Sequence, residues 1–336
     1  MKVLVIGTGT WGTALGQTLI DNGHDVLLYG NDQKQIDDIN INHQNQYYFG
    51  KDVQLPINLK ATNDIAEALD GRSVVILSVP TTAFRSVLQQ IKTVVKTKKI
   101  YVNTAKGLEK NTNKRMSEIF YEEMPEKYAY PLVSLLGPSH AEEVIKRLLT
   151  AITATSHDLK ISRKIQKLFS NQYFRVYTNK DEIGAELGAA LKNAIAIASG
   201  ILAGCGYGDN ARAALITRGL KEMVDFATYF GAQRSTFMGL SGIGDLVVTC
   251  TSLHSRNFTA GFKIGQNDEA ATFLAENKMT VEGIKTVEVV YHIAQNIKLE
   301  MPIINAIYAV LFENVKPSKI IFQLMFRPLK DENPQA

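Results

Sequence analysis

Short runs of aliphatic and β-branched residues recur through the first half of the chain, and each ends next to a glycine, a proline or a polar residue. Uninterrupted runs of this kind are typical of strands that are buried on both faces of a parallel sheet. Helical patterns alternate with them, which predicts an α/β fold with a doubly wound, mainly parallel sheet. The predicted strands are Lys2–Ile6, Asp25–Tyr29, Arg72–Val79, Ile100–Asn103, Leu132–Leu136, Ala151–Ala154 and Phe174–Tyr177.

The pattern changes near Asp181, where the strand-like runs stop. The remainder consists of helical patterns separated by polar or glycine-rich turns. A chain of 336 residues is long for one hydrophobic core and suits two domains. We therefore predict a sheet domain over residues 1–180 and an all-α domain over residues 181–336.

The first predicted strand runs directly into Gly7-Thr8-Gly9-Thr10-Trp11-Gly12, and a helical segment and the second predicted strand follow. This is the G-x-G-x-x-G pattern in the context that binds dinucleotides. Gly7 permits the tight turn, Gly9 lets the backbone approach a pyrophosphate, and Gly12 allows close packing of helix on strand. The alternative is a glycine turn without a ligand. The flanking elements favour a Rossmann-like dinucleotide-binding domain.

An acidic residue that follows the second predicted strand bears on the choice of cofactor. Asp32 stands 20 positions after Gly12, where a carboxylate accepts hydrogen bonds from the ribose hydroxyls of NAD. No arginine stands nearby to hold a 2′-phosphate, although Lys34 is close. NAD or NADP is expected, with NAD favoured. The alternative is that Asp32 is an ordinary loop residue.

The stretch Glu182–Leu220 is dominated by small and apolar residues, yet it contains Lys192. An isolated buried ammonium is too costly to keep charged, so this lysine must reach water along its stem or have partners. It is therefore either a structural or a catalytic lysine. Lys106, Gly137 and Ser139 directly follow predicted strands, and ligands of such sheets lie beyond the carboxyl ends of the strands.

Three side chains with hydrogen-bond donors are adjacent at Ser255, Arg256 and Asn257. A guanidinium offers a planar fork to oxyanions, so the cluster suits a phosphate or a carboxylate. The alternative is the start of a helix with an exposed arginine.

Composition excludes several classes of protein. The net charge of +4 is small and no long basic block occurs, so nucleic acid is not expected as a partner. No apolar run is long enough to predict membrane insertion, and no signal peptide is recognisable. The two cysteines cannot form a disulfide framework, which favours the cytoplasm. The six histidines lack metal-binding spacing, so no metal site is predicted.

Taken together, several segments go beyond a generic dinucleotide-binding pattern. The chain closely resembles the NAD(P)-dependent glycerol-3-phosphate dehydrogenases of bacterial type, in the same order and over residues 1–311. The resemblance implies a helical C-terminal domain like that of 6-phosphogluconate dehydrogenase. The segments are GTGTWGTALG, NTAKGLE, GPSHAEEV, GAALKNAIAIASGI, GYGDNARAALITRG, FMGLSGIGDLVVTCTS and SRN.

The resemblance also implies roles for individual residues. Lys192 matches the family's catalytic lysine and would contact the substrate. Asn31 and Asp32 fall where the family often has basic residues, and Thr280 replaces a usual aliphatic residue. The other substrate-binding residues would be Lys106, Gly137, Ser139, Asp245, Ser255, Arg256 and Asn257. The residues that bind the cofactor would be Gly7, Gly9, Thr10, Trp11, Gly12, Asn31, Asp32, Tyr48, Lys106, Ala141, Arg256, Thr280 and Glu282.

The activity implied by the resemblance is the reversible reduction of dihydroxyacetone phosphate to sn-glycerol 3-phosphate, which supplies the glycerol backbone for phospholipid synthesis. The family suggests a homodimer. Two alternatives stay open on the sequence. A 3-hydroxyacid-type dehydrogenase of the same architecture would also use a lysine, but would have less use for the GDN, GDL and SRN segments. A non-enzymatic NAD(H)-sensing module would need neither a buried lysine nor an oxyanion cluster.

Overall fold

The computed structural model describes residues 1–277, 281–329 and 331–332. The chain forms two compact units that interleave along the sequence. The first unit comprises Met1–Ala190 and Met223–Val248, and the second comprises Leu191–Glu222 and the chain from Thr249 onwards. The domain boundary between residues 180 and 181 stays a prediction.

The first unit is built on an eight-stranded sheet in the order β3-β2-β1-β4-β5-β6-β7-β8. Neighbouring strands are parallel throughout, except that β6 and β7 are antiparallel. The prediction of a mainly parallel, doubly wound sheet is confirmed. The strands are β1 (Lys2–Ile6), β2 (Asp25–Tyr29), β3 (Lys60–Thr62), β4 (Val74–Leu77), β5 (Ile100–Asn103), β6 (Val133–Leu136), β7 (Thr150–Thr155) and β8 (Phe174–Asn179).

Both faces of this sheet are buried, as the uninterrupted apolar runs predict. In β1, Val3 and Val5 belong to one apolar cluster, whereas Leu4 and Ile6 belong to another. The alternation follows from the two-residue period of a strand. The helices from Thr10 to Phe169 are α1 (Thr10–Asp21), α2 (Gln33–Asp37), α3 (Gln46–Phe49), α4 (Ile65–Leu69), α5 (Thr81–Val94), α6 (Met116–Glu123), α7 (Ala141–Val144) and α8 (Leu159–Phe169).

After β8 the described chain is helical, which confirms the predicted change of pattern near Asp181. Short 3-10 and π-helical turns lie at Arg234–Met238 and Leu240–Gly244. The remaining helices are α9 (Glu182–Gly204), α10 (Asp209–Tyr229), α11 (Asp245–Thr251), α12 (Arg256–Asn267), α13 (Ala271–Glu276), α14 (Glu282–Asn296), α15 (Pro302–Phe312) and α16 (Pro317–Met325).

Helix α9 is long and apolar enough to cross a membrane by length and composition alone. However, 83% of its most apolar window is buried within the protein. Two buried carboxylates of the first unit fix its beginning. Asp181 accepts hydrogen bonds from Gly184 N at 2.9 Å and Thr236 Oγ1 at 2.6 Å. Glu186 accepts bonds from Ser117 Oγ at 2.6 Å and Ser134 Oγ at 2.8 Å, and burial raises its pKa.

In the second unit, α9 and α12 cross at four glycines that leave no room for side chains. A Cβ on Gly200 would lie 2.1 Å from Phe258 O, and one on Gly204 would lie 2.1 Å from Phe262 O. The reciprocal positions on α12 are equally tight, because Cβ atoms on Gly261 and Gly265 would lie 2.0 and 2.3 Å from carbonyl oxygens of α9. Each helix contributes two glycines that are one turn apart, so the backbones can approach closely.

Glu222 caps the beginning of α15 within the same unit. Its carboxylate accepts hydrogen bonds from Ile303 N at 2.8 Å and Ile304 N at 3.3 Å. Burial raises the pKa of Glu222 to about 7. A carboxyl with a raised pKa holds its proton more tightly in the folded protein than in the unfolded chain. It therefore makes its whole contribution to stability below the unfolded pKa of about 4.3. That contribution is lost as the pH rises towards about 7.

We expect Glu222→Gln to remove this pH dependence, since an amide does not titrate and its oxygen can still accept the shorter bond, from Ile303 N. As the pH rises from about 4.5 to about 7, the free energy of unfolding of the wild type should decrease relative to that of the variant by up to about 3 kcal/mol. Urea unfolding at several pH values measures the difference. The exposed Glu276→Gln is the control and should leave the profile unchanged. A constant difference between wild type and Glu222→Gln across this range would contradict the assignment.

Candidate active site

The glycine loop lies at the carboxyl end of β1, between β1 and β4, where the strand order reverses. Packing within the protein explains two of its glycines. Gly7 has φ +117° and a Cβ there would lie 2.1 Å from Ser78 O, while a Cβ on Gly12 would lie 2.0 Å from Gly7 O. Gly9 is different, because its φ of −70° suits any residue and no atom lies within 4 Å of an added Cβ. The open space beside Gly9 fits the approach of a pyrophosphate.

The first turn of α1 offers donors to the same place. Its N-terminal amides and the positive end of the helix dipole favour an anion. Trp11 contributes a further donor, because its buried Nε1 has no hydrogen-bond partner among the described residues. An unpaired buried N–H costs stability unless a ligand accepts from it. The residues present therefore fit a dinucleotide, with Thr10 at the first position of the helix.

Two residues that the sequence did not suggest hold the loop in shape. Fully buried Asn45 donates from Nδ2 to Thr8 O at 2.8 Å and to Thr13 Oγ1 at 3.0 Å. Gln35 accepts a hydrogen bond from Thr8 Oγ1 at 2.8 Å. Both come from the segment after β2, outside any motif, so only the fold reveals them.

The segment after β2 also borders a cavity of about 560 Å³. Exposed Asp32 lines it together with Lys34 and Tyr47. One oxygen of Asp32 accepts a hydrogen bond from Lys34 N at 2.9 Å, so this residue is the N-cap of α2, and its contact with a cofactor stays a prediction. Tyr48 is 39% exposed and its ring packs edge-on against Tyr47. Exposed Asn31 precedes Asp32, and buried Ala141 is the first residue of α7.

Four candidate substrate residues come together in the first unit. Lys106 Nζ lies 2.9 Å from Gly137 O and 3.1 Å from Asp245 Oδ2. Ser139 Oγ donates to Gly137 O at 3.0 Å. Glycine is required at 137, because its φ is +143° and a Cβ would lie 3.1 Å from Ile152 Cα. The Gly137 carbonyl therefore positions both Lys106 and Ser139.

The carboxylate of this group is almost completely buried. Asp245 is 1% exposed and occupies the first position of α11, where the helix dipole stabilises an anion. The turn before it depends on Gly242, since a Cβ there would lie 2.3 Å from Phe237 Cα. The Lys106 side chain is 17% exposed and provides the opposite charge. A buried carboxylate paired in this way can orient a cation or accept a bond from a substrate hydroxyl.

Lys192 is 5% exposed in the second unit, so its side chain does not reach water along its stem. Its Nζ donates to Thr249 Oγ1 at 2.7 Å, and Thr249 is also buried. The sequence analysis did not identify Thr249. Thr249 could have been considered a candidate, because it lies four residues after the candidate Asp245 and therefore on the same face of α11.

The oxyanion cluster occupies the beginning of α12. Buried Ser255 is the N-cap and accepts a bond from Phe258 N at 3.2 Å, while Arg256 is the first helical residue and is exposed. Asn257 donates from Nδ2 to Asn193 Oδ1 at 3.0 Å and accepts from Gly283 N at 2.9 Å. Asn257 thus links Asn193, which follows Lys192, to Gly283, which follows Glu282 at the start of α14.

One candidate cofactor residue, Thr280, lies outside the described residues. Within the described part of the chain, no group of three histidine, cysteine, aspartate or glutamate side chains is arranged to hold a metal ion. A sheet whose strand order reverses at a glycine loop is typical of a dinucleotide-binding protein. A buried, oriented lysine can act as a general acid or base in such a protein.

Comparison with known proteins identifies the family. Residues 2–162 match the NAD-dependent glycerol-3-phosphate dehydrogenase N-terminus, and residues 181–322 match the C-terminus of the same family. The chain belongs to the NAD-dependent glycerol-3-phosphate dehydrogenase family. It is an NAD(P)-dependent oxidoreductase, which confirms the predicted resemblance, fold class and enzyme class.

Close relatives cover nearly the full length. The chain is 49% identical to glycerol-3-phosphate dehydrogenase (NAD(P)⁺) of Staphylococcus epidermidis over 98% of this chain and 99% of the relative. It is 48% identical to the protein of the same name in Staphylococcus aureus, with the same coverage. The crystal structure of glycerol-3-phosphate dehydrogenase from Coxiella burnetii matches with a TM-score of 0.90 and 33% identity, over 97% of this chain and 99% of that chain.

Proposed function

We propose that the chain reduces dihydroxyacetone phosphate reversibly to sn-glycerol 3-phosphate, with Lys192 as the proton donor. The observation that carries this proposal is the buried Lys192 Nζ, held 2.7 Å from Thr249 Oγ1. When bound, a nicotinamide dinucleotide supplies or accepts the hydride. The chain positions the substrate, stabilises the charge that develops on it and transfers the proton.

Lys192 acts at the carbonyl oxygen of the substrate. As the carbonyl is reduced, its oxygen gains negative charge, which an ammonium stabilises before it donates a proton. In the oxidative direction the neutral amine accepts the proton from the substrate hydroxyl. The Thr249 hydroxyl fixes the direction of the Nζ group, so little reorganisation is needed during the reaction.

The phosphate is assigned to the beginning of α12. Arg256 is exposed at the first helical position, where its guanidinium and the free backbone N–H groups favour an anion. Ser255 holds the helix start, and Asn257 is oriented by bonds to Asn193 and Gly283. The resemblance also assigns Lys106, Gly137, Ser139 and Asp245 to substrate binding.

The cofactor is assigned to the glycine loop of β1 and α1, with Trp11 as an additional donor. Asn31, Asp32 and Tyr48 belong to the adenosine side, and Ala141, Arg256 and Glu282 are assigned by the resemblance alone. NAD is preferred over NADP, because the acidic side chain of Asp32 disfavours a 2′-phosphate. Comparison of the kcat/KM values for NADH and NADPH tests this preference.

We expect Arg256→Ala to raise the KM for dihydroxyacetone phosphate by about 10- to 100-fold, because a charge-assisted bond to the phosphate is lost. The kcat/KM for unphosphorylated dihydroxyacetone should be unchanged. Steady-state kinetics with both substrates measures the difference, and the KM for NADH is measured in parallel. Lys263→Ala removes an equal charge from an exposed position on the same helix and is the control. An unchanged KM for the phosphorylated substrate in Arg256→Ala would rule out the assignment of the phosphate to Arg256.

A cytoplasmic homodimer that feeds phospholipid synthesis completes the proposal. Neither Cys205 nor Cys250 forms a disulfide, which supports a reducing compartment. Light scattering during size-exclusion chromatography tests the dimer. An assay of NADH oxidation with dihydroxyacetone phosphate, dihydroxyacetone and 3-keto acids tests the activity against a 3-hydroxyacid-type dehydrogenase and an NAD(H)-sensing module. Equal rates with a 3-keto acid would favour the former, and no turnover with any of the substrates would favour the latter.

A further inference from the structure

The loop that carries Lys106 has little regular structure of its own. It leaves β5 at Asn103 and reaches α6 at Met116, with an isolated bridge between Leu108 and Arg115. Its internal backbone bonds lie beyond Lys106, from Glu109 N to Lys114 O and from Asn113 N to Glu109 O. Interactions with neighbouring elements must therefore set the position of Lys106.

Beyond Lys106, helix α5 provides such interactions through two residues on one face. Gly107 lies against Thr81, because a Cβ on Gly107 would be 3.0 Å from Thr81 Cγ2. One turn further along α5, Arg85 forms a two-bond pair with Glu109, from Nε to Oε1 at 2.8 Å and from Nη2 to Oε2 at 2.7 Å. Thr81 and Arg85 share a helix face because they are four residues apart. The loop thus contacts α5 at Gly107 and at Glu109, one and three residues after Lys106.

Arg85 is itself held from a third element. Its Nη1 lies 2.7 Å from Glu123 Oε1 and its Nη2 lies 3.0 Å from Glu122 Oε2, both on α6. The Arg85 guanidinium lowers the pKa of Glu109 to about 2, so the pair remains charged at neutral pH. The planar fork of an arginine fixes orientation as well as distance, which a lysine cannot do in the same way.

We propose that Arg85 is a positioning residue that, through Glu109, fixes the loop bearing Lys106 and so lowers the KM for the phosphorylated substrate. The inference rests on the proposed function of Lys106 as a substrate-binding residue. A small displacement of a positioning group can reduce activity strongly even when the mutated residue does not contact the substrate. The proposal therefore requires that the effect of Arg85 on the KM depend on the presence of Lys106.

The test is a double-mutant cycle with Lys106→Met. Arg85→Met and Glu109→Gln should each raise the KM for dihydroxyacetone phosphate by about tenfold, with the KM for NADH within about twofold of wild type. In the Lys106→Met background, neither change should raise the KM further. Arg147→Met is the matched control, because Arg147 forms a comparable two-bond pair with Asp21 at 2.8 and 3.0 Å in the same unit. It should leave the KM unchanged.

Two results would overturn the inference. One is an unchanged KM in both Arg85→Met and Glu109→Gln, and the other is an equal rise with and without Lys106, which is what a general structural effect produces. If Arg85→Met does not fold, Glu109→Gln decides the matter, since it keeps the shape of the side chain. An unchanged KM in Lys106→Met alone would instead show that the proposed role of Lys106 is wrong, and the inference would fail with it.

Discussion

Lys192→Ala should lose about a thousandfold or more in kcat while the affinity for NADH stays nearly the same. In the proposed mechanism the lysine donates the proton and stabilises the developing alkoxide, and the two contributions disappear together. It does not belong to the glycine loop or to the cavity after β2, so cofactor binding should persist. Stopped-flow measurement of turnover and fluorescence titration with NADH give the two quantities.

Lys192→Met should be measured beside Lys192→Ala, because it keeps the buried side-chain stem packed and loses only the ammonium. Both variants should have the same defect. Lys180→Ala removes a charge from an exposed lysine just before α9 and should behave as wild type. A folded Lys192→Met that retains kcat within about tenfold of wild type would refute the proton-donor role.

Gly261→Ala should destabilise the second unit by about 3 kcal/mol or more, because the added methyl would lie 2.0 Å from Ile197 O. That carbonyl belongs to the backbone of α9, so no side chain can rotate away. To fit the methyl, α12 must move away from α9. The movement would also separate Asn257 from Asn193, which are 3.0 Å apart, and raise the KM for dihydroxyacetone phosphate. Urea unfolding and steady-state kinetics measure the two effects.

Gly208→Ala is the matched control, since no atom lies within 4 Å of a Cβ added there. The change should alter stability by no more than about 1 kcal/mol, through the entropy of the unfolded chain. Similar destabilisation by Gly261→Ala and Gly208→Ala would mean that the glycine crossing does not set the spacing of α9 and α12.

Features that depend on local geometry were predictable from the sequence. The glycine loop was recognised because three glycines at fixed spacing must satisfy a turn and a helix start within a few residues. The structure adds that Gly7 and Gly12 are required by packing, whereas Gly9 is not. The apolar neighbours of Lys192 showed only that it must reach water or have partners; its burial and its contact with Thr249 required the structure. The strand β3 was missed, since Lys60–Thr62 is too short to form an apolar run.

Features that depend on long-range contacts could not be predicted. Asn45 holds the glycine loop from 37 positions away, and Arg85 meets Glu109 across 24 positions. Nothing in either local sequence distinguishes these side chains from surface residues. The glycines of α9 and α12 illustrate the same point, because their spacing was visible in both helices but the pairing of the helices was not. The antiparallel pairing of β6 and β7 could also be recognised only in the structure.

The most direct test of the central claim is the rate of NADH oxidation by the purified chain with dihydroxyacetone phosphate, compared with dihydroxyacetone. We predict rapid oxidation that depends on the phosphate, with a kcat/KM for dihydroxyacetone lower by at least about a hundredfold. Equal rates with the two substrates, or no oxidation of either NADH or NADPH with dihydroxyacetone phosphate, would contradict the proposed reaction.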